Sequence, residues 1–536
     1  MKQYVIKAGE CLEKLCDKVV VLLGIIIFSA LSFYSMRYTE LLLVDIEIMR
    51  THTDSVVGNL FAFCGAFGFF SLVRFCLSRK SEEEQQRVSA IVKNITLLYV
   101  LGISVLWVFA SHTAPRADAK ILCQVANLFL NGDYESMVPV GYMSYNPHQF
   151  GLVFVLQSLS ALFGDKNYVA FQYMNAALMV LAVHAGYKIV ELIFKKAAVK
   201  IFYCIFIIGC LPVIMYVAFV YGEIPSIAFC MVMMWCAVKY CKTGCRWAVP
   251  GMVISAALAG MVRMNSVVVI IAISIILIVH AVQKGKPQTL LIVIGMFLAV
   301  TGLNSGIRNY YEYRSGNPVN EGIPYASYIM MGLQDAEYGP GWFNRYNYES
   351  FEYWDFDHEA TKVADTEAVK MRLSELWNNK TDAMDFFKRK ILTQWNAPDY
   401  NAIESLERFD CEFEELPKVI QNVFSGELRA FLEGFMNRYQ FVLYFCSLCV
   451  LLYLLCAESP LENHVLLIAI IGGLLFSCMW EAKSRYVLPY MFFMVPLAAA
   501  GMYVIQEGCV WLWNYLNNKK AMHSEEKKER KEKTAA

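Results

Sequence analysis

The sequence predicts an all-α polytopic membrane protein, with about twelve transmembrane helices, interfacial helices and a C-proximal extracellular domain. Three observations predict it. Of 536 residues, 57% are hydrophobic and only 18% are charged, whereas a soluble domain carries roughly a quarter charged residues. Apolar runs recur at the length of a bilayer-spanning helix, about 20 residues. Basic residues gather in alternate loops, as the positive-inside rule requires. The soluble classes are excluded. The 47 basic and 47 acidic residues cancel, so no global basic field points to a nucleic-acid partner.

The chain opens with a basic segment, 2–18, ahead of an apolar run at 19–36. That run has no small-residue cleavage site and reads as a signal-anchor helix. With a second run at 56–78 it makes an N-terminal unit, 1–90, of a cytoplasmic tail and two helices. A transmembrane core, 91–304, follows, with spans at 91–111, 168–194, 201–220, 224–241, 247–262, 266–283 and 288–304. The 149–164 run is marginal for crossing. Counting it as a span would carry Lys195, Lys196 and Lys200 to the outside, so it reads as interfacial or re-entrant.

Two loops, 112–164 and 305–437, then face outside, and the second is long enough for a small domain. Spans at 438–457, 462–480 and 487–506 form a C-terminal unit, 438–516, before a charged cytoplasmic tail, 517–536. The expected location is the plasma membrane, multi-pass, with both termini cytoplasmic. The acidic run Ser81-Glu82-Glu83-Glu84 reads as solvated surface. Most of the 17 cysteines lie in apolar runs, and the Cys446/Cys449 pair reads as core.

Residues that carry chemistry cluster at the predicted outer boundary. Asp118 opens a helix whose Ile121, Leu122, Val125, Leu128 and Phe129 recur at amphipathic spacing. It reads equally as an N-cap and as a catalytic carboxylate at the lipid–water boundary. Tyr145-Asn146-Pro147-His148 opens the next apolar helix, and a His near a carboxylate can orient it, share its proton or bind metal. Gly222-Glu223-Ile224-Pro225 breaks two helices, with Pro225 suited to a first turn. Glu223 reads as a dipole partner there, or as a group for an acceptor or metal.

Arg263-Met264-Asn265 and Trp480-Glu481-Ala482-Lys483-Ser484-Arg485-Tyr486 break the positive-inside pattern. Ionisable groups at such depth are costly and usually functional. Arg grips phosphate in a two-pronged fashion, which suits a lipid phosphate. The competing reading pairs Arg485 with Glu481, four residues earlier.

Those motifs, in that order, resemble the membrane glycosyltransferases of the C superfamily, in particular the bacterial protein-mannosyltransferase-like branch. Tyr325–Leu333 (YASYIMMGL), Gly341-Trp342-Phe343-Asn344 and Lys390–Pro398 (KILTQWNAP) extend the resemblance into the large loop. Asp118 stands alone, without the adjacent Asp-Glu pair of the mannosyltransferases, and two extra spans precede the usual first one.

The resemblance implies a GT-C-like fold and inverting transfer of a sugar from a polyprenyl-phosphate carrier to a glycan, lipid or protein acceptor on the outer face. Asp118 would be the catalytic base, with Glu223 and His148 as acceptor or metal groups. Arg263, Arg485 and Lys483 would hold the donor phosphate, and Tyr145, Asn265, Trp342 and Glu481 would line the substrate loop. A divalent cofactor, Mg or Mn, stays open. The rival readings are a polysaccharide polymerase or ligase, which would rely on paired Arg residues, and a transporter or flippase, which would bury ionisable groups at mid-span in two matching halves.

Overall fold

The computed structural model describes residues 2–43 and 48–535, with side chains at 6–7, 9–42 and 48–516. The charged tail read at 517–536, like parts of the 2–18 segment, lies outside the described side chains. Every span expected from the sequence is helical. Among the described residues, ten helices are long and apolar enough to cross a membrane, from Gly9–Arg37 to Ser484–Leu516. The 201–220 segment is a bent pair, Ala197–Ile208 and Leu211–Ala218, at 57°. Pro212 enters the first turn of the second piece, where its missing N–H costs nothing and forbids a straight continuation. The 247–262 segment is a shorter apolar helix, Ala248–Val262.

Helix ends explain where the expected domain boundaries slip. The first core helix starts at Glu82, inside the unit read as 1–90. Ser81 and Glu84 form a reciprocal capping box there, so the acidic run is a helix start as well as a surface. The large loop spans 316–426 rather than 305–437, because the flanking helices Leu290–Ser315 and Glu427–Cys456 continue past their apolar stretches. Pairs four residues apart, Arg308–Glu312 and Arg429–Glu433, sustain those polar turns.

The Phe150–Phe163 helix stays at the end of the bundle that carries the large loop. Ser160 Oγ donates to Asn127 Oδ1 at 2.6 Å and accepts from Asn167 Nδ2 at 2.8 Å, where the next span begins. Gln157 accepts from Tyr311, near the end of Leu290–Ser315, at 2.7 Å. The amphipathic Ala117–Leu130 helix lies against it, with Leu122, Val125 and Phe129 buried.

One element was not legible. Tyr38–Leu43 and Ile48–Thr53 pair antiparallel between the first two spans. This hairpin grips the large loop: Glu40 N–H donates to Asn396 O at 3.1 Å and Met49 N–H to Tyr338 O at 3.3 Å. Met49 packs with Trp342, Ala397 and Ala482.

At the opposite end, Lys18 Nζ donates to Leu455 O at 3.1 Å and to Ala457 O at 2.7 Å. The first helix is thereby tied to the Glu427–Cys456 helix, and it also packs on Val267–Lys284. The two leading helices are part of the bundle rather than an attachment to it.

Candidate functional site

The turn before the Glu223–Thr243 helix comes first, because its backbone decides the rest. A Cβ on Gly222 would meet Val262 O at 2.4 Å, so only glycine lets the end of the Ala248–Val262 helix close on this turn. That approach sets Glu223, the first residue of its helix and 1% exposed, against the Arg263 guanidinium. Arg485, from the start of the last span, reaches the same carboxylate oxygen at 3.9 Å. Arg263 and Arg485 side chains are only 9% and 12% exposed. One anion therefore holds two buried cations. Glu223, read from the sequence as a dipole partner or as an acceptor or metal group, is here the anion of a buried ion-pair cluster.

The guanidinia are also held by aromatic faces. The Tyr486 ring lies 5.2 Å from the Arg263 guanidinium and 5.4 Å from that of Arg485, and Tyr221 lies 5.2 Å from Arg485. Arg263 Nη1 is taken up by the Glu223 carboxylate, whereas Arg485 Nε, 3.9 Å from the same oxygen, has no hydrogen-bond acceptor in the protein. Buried donors of this kind are costly and suit an arriving anion.

Glu481 does not pair with Arg485 along a helix, because Trp480–Lys483 is not helical. Its carboxylate accepts from the Tyr486 hydroxyl at 3.1 Å. Burial pushes the Glu481 carboxyl up, against the pull of Lys483 and Arg485. Burial, aided by Arg485, pulls the Lys483 amine down. Both shifts have burial as their largest cause, which disfavours the charged form of each group.

Asp118 sits in the first turn of its helix, half-buried, but Arg116 occupies the N-cap and Asp118 makes no cap. Ala117, just before it, is held at φ +45°, a strained conformation for alanine. Arg116 anchors this turn by donating to Glu404 O at 2.6 Å. The Asp118 charge acts on His148, Tyr221, Glu481, Lys483 and Arg485, which brings the motifs of four separate segments to one place. His148 is exposed, yet protein on its flanks desolvates it and pulls it down to about 4, against the pull of Asp118. Such an imidazole is neutral at pH 7. Gln149, beside it, donates to the Tyr221 hydroxyl at 2.5 Å, and Asn265 is half-buried next to Arg263.

Two expected substrate-loop residues are engaged by the protein itself. The Tyr145 hydroxyl donates to Glu352 at 2.9 Å and its ring packs on Tyr348, Phe351 and Phe356. Trp342 is 5% exposed and donates to Thr393 at 3.4 Å. The two lie in different loops, and the burial of each comes from contacts distant in sequence. Tyr221, Tyr328 and Tyr486 are the site aromatics that sequence reasoning passed over. Tyr328 and Tyr486 lie inside the quoted motifs and Tyr221 directly precedes one, which was the only signal.

The large-loop motifs build the frame that presents Lys483 and Arg485. Ala482 N–H donates to Gly341 O at 2.7 Å, and the Ser484 hydroxyl donates to Thr393 O at 3.0 Å. Gly322, at φ +74°, passes so close to Pro147 that a Cβ would meet Pro147 Cδ at 2.3 Å. Its neighbour Ile323 donates to Tyr145 O at 3.1 Å, at the end of the short Tyr142–Tyr145 helix that leads to His148.

Lys390 is fully buried and donates to Gly332 O and, at 3.0 Å, to Cys478 O. One cation thus serves the carbonyl ends of two helices. Burial pulls its amine down to about 7. Between that pH and about 10.4 the unfolded chain keeps a proton that the folded chain has released, so Lys390 makes stability rise with pH. Lys390→Met is expected to remove a slope of up to roughly 1.4 kcal/mol per pH unit in this window, read from unfolding in detergent between pH 7 and 10. Equal slopes in both proteins would assign the titration elsewhere.

A family model described as a conserved hypothetical integral membrane protein matches residues 12–338, more than half of the chain. The chain belongs to this family. The match starts inside the first helix, so the two leading spans are part of the family's pattern. It takes in Asp118, His148, Glu223 and Arg263, and ends before Lys483 and Arg485. No curated protein matches the chain.

Proposed function

We propose that the chain is an integral membrane glycosyltransferase that moves a sugar from a polyprenyl-phosphate carrier to a glycan, lipid or protein hydroxyl at the large-loop face. The observation that carries this reading is the buried cationic pair Arg263 and Arg485, with Asp118 near enough for its charge to act on Arg485, whose Nε lacks a hydrogen-bond acceptor. Asp118 takes the proton of the acceptor hydroxyl as its oxygen bonds to the anomeric carbon. The bond from that carbon to the phosphate oxygen breaks on the opposite face, with inversion. The phosphate leaves with the electron pair, and its growing charge meets Arg485, Arg263 and Lys483 in a desolvated site. Asp118 then returns the proton to solvent. His148, neutral, orients by hydrogen bonding rather than by charge.

The resemblance to C-superfamily enzymes supports this reading, as does the lateral position of the site at the end of the spans. The experiment is direct: purified protein in proteoliposomes receives labelled polyprenyl-phosphate sugars, and label moving to a hydroxyl acceptor is the expected result. Recovery of all label on the carrier, across the common hexose and pentose donors, would sink the proposal.

The Arg263–Glu223–Arg485 arrangement favours a second reading, a polysaccharide polymerase or ligase acting on lipid-linked glycans. That reading requires activity to survive loss of Asp118.

The large-loop face is assigned to the cell exterior, and both termini to the cytoplasm. The loops bearing Lys195, Lys196, Lys239, Arg246, Lys284 and Lys286 supply the motive, since positive residues mark the cytoplasmic side. Single cysteines at the exposed positions Lys196 and Tyr353 should label from inside and outside, respectively. Outside labelling at 196 reverses the assignment.

A further inference from the structure

We propose that His112, Asp410 and Cys411 form a transition-metal site that takes Zn²⁺ and joins the end of the Glu82–Ser111 helix to the far end of the large loop. The ligand atoms of the three residues all lie within 4.8 Å of one another. His112 Nδ1 and Asp410 Oδ1 are 3.2 Å apart.

The backbone already holds the two segments together. Thr113 and Phe409 form an antiparallel bridge, Asp410 N–H donates to His112 O at 3.0 Å, and Ala114 N–H donates to Arg408 O at 2.8 Å. Tyr168 donates to the other Asp410 oxygen at 3.1 Å, which orients the carboxylate from outside the ligand set. His112 caps its helix in a left-handed conformation, which turns the chain toward the loop.

The donor set selects the metal. One thiolate, one imidazole and one carboxylate make a borderline-soft site, which suits Zn²⁺ and disfavours Mg²⁺ and Mn²⁺. Bonds of about 2.0–2.3 Å require the side chains to draw in by about an ångström. His112 and Cys411 are exposed and half-buried, respectively, and can make that movement. Lys166, 3.6 Å from Asp410 and 72% exposed, swings away as the metal takes over the carboxylate. Binding displaces the Cys411 proton to solvent, so affinity rises with pH.

A second group, Glu321, His358 and Glu359, also has ligand atoms within 4.8 Å. It offers only oxygen and nitrogen, and so serves as an internal contrast. The test uses the purified full chain in detergent, stripped with chelator and titrated with Co²⁺. One equivalent is expected to bind with a thiolate-to-cobalt charge-transfer band, and Zn²⁺ should displace it. Cys411→Ser should abolish the band while the protein stays monodisperse, and His112→Gln should weaken Co²⁺ binding at least tenfold. Absence of the band overturns the proposal. So does a band that survives Cys411→Ser, or Co²⁺ binding lost only in Glu321→Gln or His358→Gln.

Discussion

Asp118→Asn is expected to lower sugar transfer by roughly 10²–10⁴, the worth of a positioned general base, while donor retention in a binding assay stays unchanged. Asn keeps the shape of the side chain. Because Arg116 and not Asp118 occupies the helix cap, no capping bond is lost, and stability should move by no more than about 0.5 kcal/mol. Initial rates in proteoliposomes and thermal unfolding in detergent measure the two quantities separately. A rate within roughly tenfold of the parent would remove the base and turn attention to the paired-arginine chemistry of a ligase.

The largest effect on stability is expected from Glu223→Gln. Its carboxylate is the anion between the Arg263 and Arg485 guanidinia, and it is 1% exposed. Breaking a buried pair by removing one partner typically costs about 3–5 kcal/mol, because a charge is left in low dielectric. Here two cations would be left. Adding Arg263→Met to Glu223→Gln should recover part of the loss, since one stranded charge is removed and Met keeps much of the stem packing. Strict additivity of the two changes in unfolding experiments would show that the three groups do not act as a unit.

Much of this was readable from the residues. Hydropathy located every spanning segment, because a bilayer imposes length and composition on each helix separately. The site was readable as far as single residues went: Arg263, Lys483 and Arg485 announced themselves by standing at the span ends opposite those of the other basic loops. Their partnerships were not. Glu481 was the obvious neighbour of Arg485 in sequence, and Glu223 is the actual one in space. Tyr145 and Trp342 look in sequence like substrate aromatics of the two outer loops, and only the fold reveals the side chains they pack against. The Tyr38–Thr53 hairpin hid between two apolar runs too strong to leave it a pattern of its own.

The attachment of the first helix to the later ones bears on how the protein is made. Lys18 finds its carbonyl partner Leu454 only 436 positions downstream. During synthesis the first helix therefore enters the bilayer long before its neighbour exists, with Val21, Phe28 and Leu31, fully buried in the finished protein, facing lipid or an insertion factor. In hydrocarbon that wait costs little, since lipid solvates leucine as well as a helix does. Lys18 closes its bonds to the last turn of the Glu427–Cys456 helix after almost the whole chain has emerged. Chains stopped short of that helix would carry an unlatched amine and an open apolar seam along the first helix.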